Sequence, residues 1–240
     1  MTNVLIDSVG ISKNFGERTA LLPMSLKISC GDRLAVLGPN SAGKSTLLRL
    51  LSGLSRPSTG YIETANTGPS RLRKDLRGIV GYLGHSSMLY PALSPLENIE
   101  FSGRLYGIPH PKERGTFLLN ELGLLEFKNE RVGTLSSGVL RRVAIARALL
   151  HEPKVLLLDE PFAGLDYRSG EILENLLSQI SHSHPDRALV LVSHDLSGAA
   201  RLTNNALFLS KGNHTVLGAP TKGDWSEAYR HAQNSLEKTE

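Results

Sequence analysis

Residues Leu37 to Thr46 read LGPNSAGKST, which sets Gly38, Gly43, Lys44 and Ser45 in the spacing G-x-x-x-x-G-K-[ST]. That spacing cradles phosphates: its glycines let backbone N–H groups close round a phosphate chain without a Cβ in the way, and Pro39, Asn40, Ser41 and Ala42 complete the loop. Lys44 would reach the β- and γ-phosphates of a nucleotide; Ser45, followed by Thr46, would offer its hydroxyl to Mg²⁺. Further along, the apolar run VLLL ends in the acidic pair Asp159 and Glu160. Asp159 suits a contact with Mg²⁺, direct or through its water shell, and Glu160 suits a general base that orients water against a γ-phosphate. The plainer alternative is an acidic turn at a strand end. His194, in VSHD, stands where an imidazole would donate to the γ-phosphate and stabilise charge in transfer, whereas His151, His182, His184 and His214 read as solvated or capping residues.

These residues need elements that bring them to one place. RLAVL, Arg33 to Leu37, is a short β-like run entering the loop, and TLLRLLSGL after it has apolar residues at helical spacing. A helix starting near Lys44 aims its positive end at the phosphates. Val155 to Leu158 is the uninterrupted apolar run of a strand buried in a parallel sheet, and the carboxyl edge of such a sheet is where open α/β folds bind ligands. ALVLVS leads to His194 in the same way. Further strands are expected in two stretches of residues 4 to 29, at Tyr61 to Thr64, in GIVGYL at 78 to 83, and as a pair around 206 to 218. From about 89 to 151 the chain turns helical, punctuated by Pro91, Pro95, Pro109 and Pro111. EILENLLSQI puts Ile172, Leu176 and Ile180 on one helical stripe, with Leu173 and Leu177 beside it. Residues 221 to 240 are polar and fit a peripheral helix or a frayed tail.

Bulk composition is compatible with this reading. The chain has 240 residues, 40% of them hydrophobic, enough for a substantial core. No apolar run is long enough to span a bilayer, and the first ten residues, MTNVLIDSVG, lack the basic and apolar segments of a secretion signal, so a cytoplasmic location is expected. A net charge of +4 mildly favours anionic partners. Cys30 is the only cysteine, which excludes an intrachain disulfide and a cysteine-based metal cluster.

LSSGVLRRVAIARAL, Leu135 to Leu149, adds a second potential anion site. Ser136, Ser137 and Gly138 immediately precede an amphipathic helix, where hydroxyl and backbone donors gather at a positive helix end. One nucleotide already has a cradle in this chain, so a second site makes sense if it closes over the nucleotide of another subunit. Here the sequence resembles the ATP-binding cassette (ABC) ATPases over about residues 3 to 218. GPNSAGKST stands as Walker A, LSSGV as signature, VLLLDEP as Walker B, AGLD as D-loop and VSHD as switch histidine, in the order the family shows. The resemblance implies an α/β fold with a P-loop (RecA-like) parallel-sheet core, an N-terminal antiparallel β subdomain and a helical subdomain at about 89–151. It also implies an ATPase domain over 1–220 followed by a C-terminal tail at 221–240. Adenine stacking falls to Phe15, in KNFG, and nucleotide contacts to Asp166 of the D-loop, with ATP and Mg²⁺ bound and a head-to-tail homodimer formed on ATP.

Two departures stand out. The family's signature is usually LSGGQ, and here Ser137 replaces its first glycine and Val139 its glutamine. In GYLGHSS, His85 stands where the family has a glutamine that contacts Mg²⁺ and water. A neutral imidazole can offer a lone pair to the metal; alternatively His85 packs or caps the strand end and leaves the metal to Ser86 or a water. That histidine, with LSPLENIEF and VGTLSSG-x-x-RRVAIARALL, is similar to the ATP-binding subunits of cytochrome c maturation (haem) exporters. This likeness implies integral membrane subunits as partners, a peripheral position on the cytoplasmic face of the inner membrane, and no nucleic acid. Other readings are the ATPase of a drug, lipid or polysaccharide exporter, or a soluble ABC ATPase acting on ribosomes or DNA; the single cassette and the lack of a heptad run weigh against the latter.

Overall fold

A computed structural model describes residues 3–64, 67–70, 73–220 and 223–237. The chain opens with β1 (Val4–Phe15), β2 (Arg18–Ser29), β3 (Arg33–Leu37), α1 (Lys44–Leu51), β4 (Thr59–Thr64) and β5 (Thr67–Ser70). Then come α2 (Arg73–Ile79), β6 (Val80–Leu83), α3 (Pro95–Leu105), α4 (Pro111–Glu121), α5 (Ser137–Leu149) and β7 (Val155–Asp159). It closes with α6 (Tyr167–Ser183), β8 (Ala188–Val192), α7 (Leu196–Leu202), β9 (Asn205–Ser210), β10 (Asn213–Leu217) and α8 (Ser226–Glu237).

Two sheets organise these elements. One is four-stranded and antiparallel, in the order β2-β1-β4-β5; the other is six-stranded, in the order β10-β9-β3-β8-β7-β6. From β9 through β6 the larger sheet is parallel, and only β10 runs against its neighbour. Its strands RLAVL, VLLLD and ALVLV are buried almost throughout because both faces are covered. Alternate residues feed two cores. Leu34, Val36, Val155, Leu157, Val190 and Val192 join α1 and the antiparallel sheet; Ala35, Leu37, Leu156, Leu158, Leu189 and Leu191 join α3 to α7. All parallel strands end on the same side, so the segments after β3, β6, β7 and β8 meet at one edge.

Helix α3 starts sharply because Ser94 and Glu97 form a reciprocal cap: Ser94 Oγ accepts from the Glu97 amide (3.2 Å), and Glu97 Oε2 accepts from the Ser94 amide (2.8 Å). Three expectations need correction. GIVGYL is not all strand: α2 runs through Ile79, and β6 begins at Val80, opposite Val155, where β7 begins to offer a pairing partner. On α6 the fully buried stripe is Leu173 and Leu177, while Ile172, Leu176 and Ile180 are its half-buried flank, because the helix is rotated to point the first pair at the sheet. His151 is neither solvated nor a cap; its ring stacks on Tyr106 (4.2 Å, 1°) and its Nε2 lies 3.1 Å from the Val80 carbonyl oxygen. Near the C-terminus the segment takes the helical form rather than the frayed one. Trp225 is fully buried, its Nε1 donates to Thr203 Oγ1 (3.2 Å), and Tyr229 packs edge-on against Phe208 (4.9 Å).

Candidate active site

The loop from β3 to α1 closes tightly because two glycines take backbone conformations that side chains disfavour. Gly38 (φ 142°) and Gly43 (φ 104°) also have no room for a Cβ, which would overlap the carbonyl oxygens of Leu209 and Ala20 respectively. Gly43 precedes α1 with no side chain capping the first turn, so the N–H groups there remain open to an anion. Lys44, the first residue of α1, is buried, and its Nζ donates to the carbonyl oxygens of Gly38 (2.7 Å) and Pro39 (2.9 Å). Burial lowers the Lys44 pKa, and the negative charges of Glu160 and Asp159 oppose that fall.

Residues 40–46 form one wall of a cleft of about 560 Å³. Asp159 at the end of β7, Glu160 just after it, His194 after β8, His85 after β6 and Phe15 at the end of β1 complete it. Residues far apart in the sequence are thus gathered at the carboxyl edge of the sheet. Phe15 is exposed at the rim, with Lys13 Nζ 5.2 Å from its ring centre. Glu160 carries a left-handed backbone (φ 52°), and its amide donates to the Val192 carbonyl oxygen (3.0 Å). Its carboxylate faces His194: Oε1 lies 3.4 Å from Nε2, and Oε2 accepts from the His194 amide (3.4 Å). Burial raises the Glu160 pKa above the ordinary carboxylate range, although the His194 ring and amide pull it down.

Asp159 is buried at the strand end, and its Oδ2 has no hydrogen-bond partner among the described residues. An orphaned carboxylate oxygen beside a hydroxyl-bearing loop fits a hard divalent cation. Among the described residues no group of three His, Cys, Asp or Glu side chains gathers to hold a metal by itself. Mg²⁺ takes one or two protein ligands and fills its remaining positions with water and substrate phosphates. Asp159 and Ser45 would hold it, with His85 also lining the cleft, and the ion would supply neutralisation of phosphate charge.

Ser136, Ser137, Gly138 and Asp166 are not part of this cleft. Ser136 caps α5, its Oγ accepting from the Val139 amide (3.4 Å), and Asp166 caps α6, accepting from the Ser169 amide (2.8 Å) and hydroxyl (3.0 Å). The two caps adjoin, since Gly138 and Ser137 approach Gly164. Val139, where the resemblance leads one to expect glutamine, is buried in the core.

Sequence reasoning missed several residues. Arg18, Ala20 and Val192 also line the cleft. Arg141 of α5 lies buried behind it, its guanidinium donating to the carbonyl oxygens of Gly84 (2.8 Å), His85 (3.5 Å), Asp159 and Glu160 (2.6 Å). The one sequence signal is that Arg141 and Arg142 interrupt a run of otherwise small and apolar helix positions.

A family model described as ABC transporter matches residues 21–163, the span from β2 to just past Glu160. The chain belongs to the ABC transporter family. It is an ATP-binding and ATP-hydrolysing subunit of that family. This ABC ATPase is 37% identical over 219 residues to a probable sulfate/thiosulfate import ATP-binding protein of Chlorella vulgaris, spanning 90% of this chain and 91% of the relative. It is 36% identical over 218 residues to a taurine import ATP-binding protein of Yersinia pestis bv. Antiqua (strain Antiqua), spanning 89% and 82%. Among solved structures, a dimeric ATP-binding cassette in a post-hydrolysis state, bound to ADP and Pi, matches with a TM-score of 0.80 and 28% identity, covering 89% of this chain and 99% of that one. In this ABC ATPase no described helix is long and apolar enough to cross a membrane.

Proposed function

We propose that the cleft binds ATP with Mg²⁺ and that Glu160 is the base that orients water for attack on the γ-phosphate. The observation that carries this is the convergence of Lys44, Asp159, Glu160 and His194 on one cleft at the carboxyl edge of the parallel sheet. Lys44 and the open amides at the start of α1 hold the β- and γ-phosphates, and Phe15 at the rim stacks on adenine. Glu160, kept partly out of water, takes a proton from the attacking water more readily than an ordinary carboxylate, and His194 stabilises the charge that develops on the phosphate.

The signature residues Ser136, Ser137 and Gly138 lie outside their own cleft, which supports a head-to-tail dimer in which they cover the nucleotide of a second copy. The dimeric cassette bound to ADP and Pi supports the same reading. Light scattering of the Glu160→Gln chain with ATP and Mg²⁺, in complex with its membrane subunits, should show two copies per complex closing on nucleotide; a persistent single copy would contradict it.

The work done by hydrolysis is transport through separate membrane subunits on which this chain sits peripherally. We propose export, with haem for cytochrome c maturation as the cargo, supported by the likeness carried in YLGH and LSPLENIEF. A second reading, import of a sulfur oxyanion or sulfonate, is favoured by the names of the two relatives above. Deleting the gene separates them. Loss of haem-stained c-type cytochromes with unchanged use of sulfate and taurine supports export, and the reverse phenotype supports import.

A further inference from the structure

Arg141 sits in the second turn of α5, and only 8% of its surface is exposed. A buried cation is costly unless its surroundings compensate for lost water, and a carboxylate partner is the usual remedy. Among the described residues no carboxylate side chain lies within ion-pair distance of Arg141; four backbone carbonyls take that place. They come as two pairs, Gly84 and His85 just after β6, and Asp159 and Glu160 at and just after the end of β7, where two adjacent parallel strands finish. A guanidinium is a planar fork of five donors and can span both pairs at once, which neither an ammonium nor an amide can do.

The second pair matters most. Glu160 holds a left-handed φ of 52°, uncommon for a residue with a side chain and maintained only where the surroundings enforce it. Three bonds enforce it here: the Glu160 amide donates to Val192, and the Glu160 carbonyl accepts from both the Ala163 amide (3.1 Å) and Arg141. That backbone turn aims the carboxylate toward His194, across the cleft from Lys44.

We propose that Arg141 is a positioning residue, whose clamp on four carbonyls fixes the segments carrying His85, Asp159 and Glu160 at the distance from Lys44 that hydrolysis needs. The clamp also ties those segments to the helix that begins with Ser136 and Gly138, so a shift of α5 is transmitted to the cleft edge. This rests on the proposed ATPase role of the cleft, but the clamp itself can be tested without nucleotide.

The test compares the full chain with Arg141→Gln and Arg141→Lys, either of which spans fewer carbonyls. Amide hydrogen exchange on the nucleotide-free proteins should quicken at residues 84–87 and 159–162 and stay unchanged at residues 38–46. In complex with the membrane subunits, kcat for ATP with Mg²⁺ should fall by about 10²-fold, the cost of displacing a reacting group by roughly 1 Å, while KM changes little. Arg141→Lys should recover part of the loss, and it carries the same measurements if Arg141→Gln fails to fold. A residue that merely stabilised the fold would speed exchange everywhere and lower kcat only in proportion to folded protein. Unchanged exchange in the two segments, or parental kcat in either variant, overturns the clamp. Quickened exchange beside a parent complex that hydrolyses no ATP supports the clamp and overturns the ATPase reading of the cleft.

Discussion

Glu160 brings the electrostatics of the cleft to a point. Its folded-state pKa is raised, chiefly by burial, so the folded protein holds this proton more tightly than the unfolded chain. The stability tied to the group is therefore fully present below the ordinary carboxylate value, about pH 4, and is lost as pH rises through the elevated folded value. Glu160→Gln removes that loss: its melting temperature should exceed the parent's at about pH 7, with the gap closing toward about pH 4. Differential scanning calorimetry across that range checks the sign. His194 supplies the largest influence lowering the Glu160 pKa, so His194→Gln should move the acidic limb of the ATPase profile to higher pH, whatever it does to the maximum rate. At this scale the sequence was informative wherever residue type carries the chemistry, as in Lys44, Asp159 and Glu160. For Arg141 it offered only the interruption of a small and apolar helix run, because that residue's partners are backbone carbonyls, which every residue possesses and no pattern marks.

Among the elements, strands bounded by turn residues were legible almost to the residue: RLAVL is β3, and VLLLD and ALVLV end where the side chains of the cleft begin. Continuous apolar runs leave little doubt when both faces of a strand are covered. Helix orientation was less legible, since two adjacent stripes of α6 are both apolar and only the packed fold selects Leu173 and Leu177. The selection has an energetic consequence. Leu173→Ala or Leu177→Ala should cost about 2–5 kcal/mol, and Ile172→Ala or Leu176→Ala clearly less, as measured by urea denaturation. The boundary between α2 and β6 was missed for a related reason: an apolar segment becomes strand only where a neighbouring strand is there to pair with it.

Across the whole molecule, a largely parallel sheet with two separate cores carries Lys44, His85, Asp159, Glu160 and His194 at one edge, the antiparallel sheet adds Phe15, Arg18 and Ala20, and the signature sits on a helix to the side. The class of fold was legible from the motif order; the relation of signature to cleft was not, because it depends on how α5 packs. Nor did the polar composition of the C-terminal segment reveal Trp225, which packs into the core with α3 to α7. Trp225→Ala should lose about 3–5 kcal/mol of stability by denaturant titration, although the residue is remote from the phosphate loop in sequence. The central claim is that this edge is an ATP-hydrolysing centre with Glu160 as base. It is met most directly by measuring steady-state ATP turnover of the Glu160→Gln protein in complex with its membrane subunits and quantifying bound nucleotide in the same sample. Turnover about 10²–10⁴-fold below the parent, with intact ATP retained, is the expected result; turnover at the parental rate would contradict it.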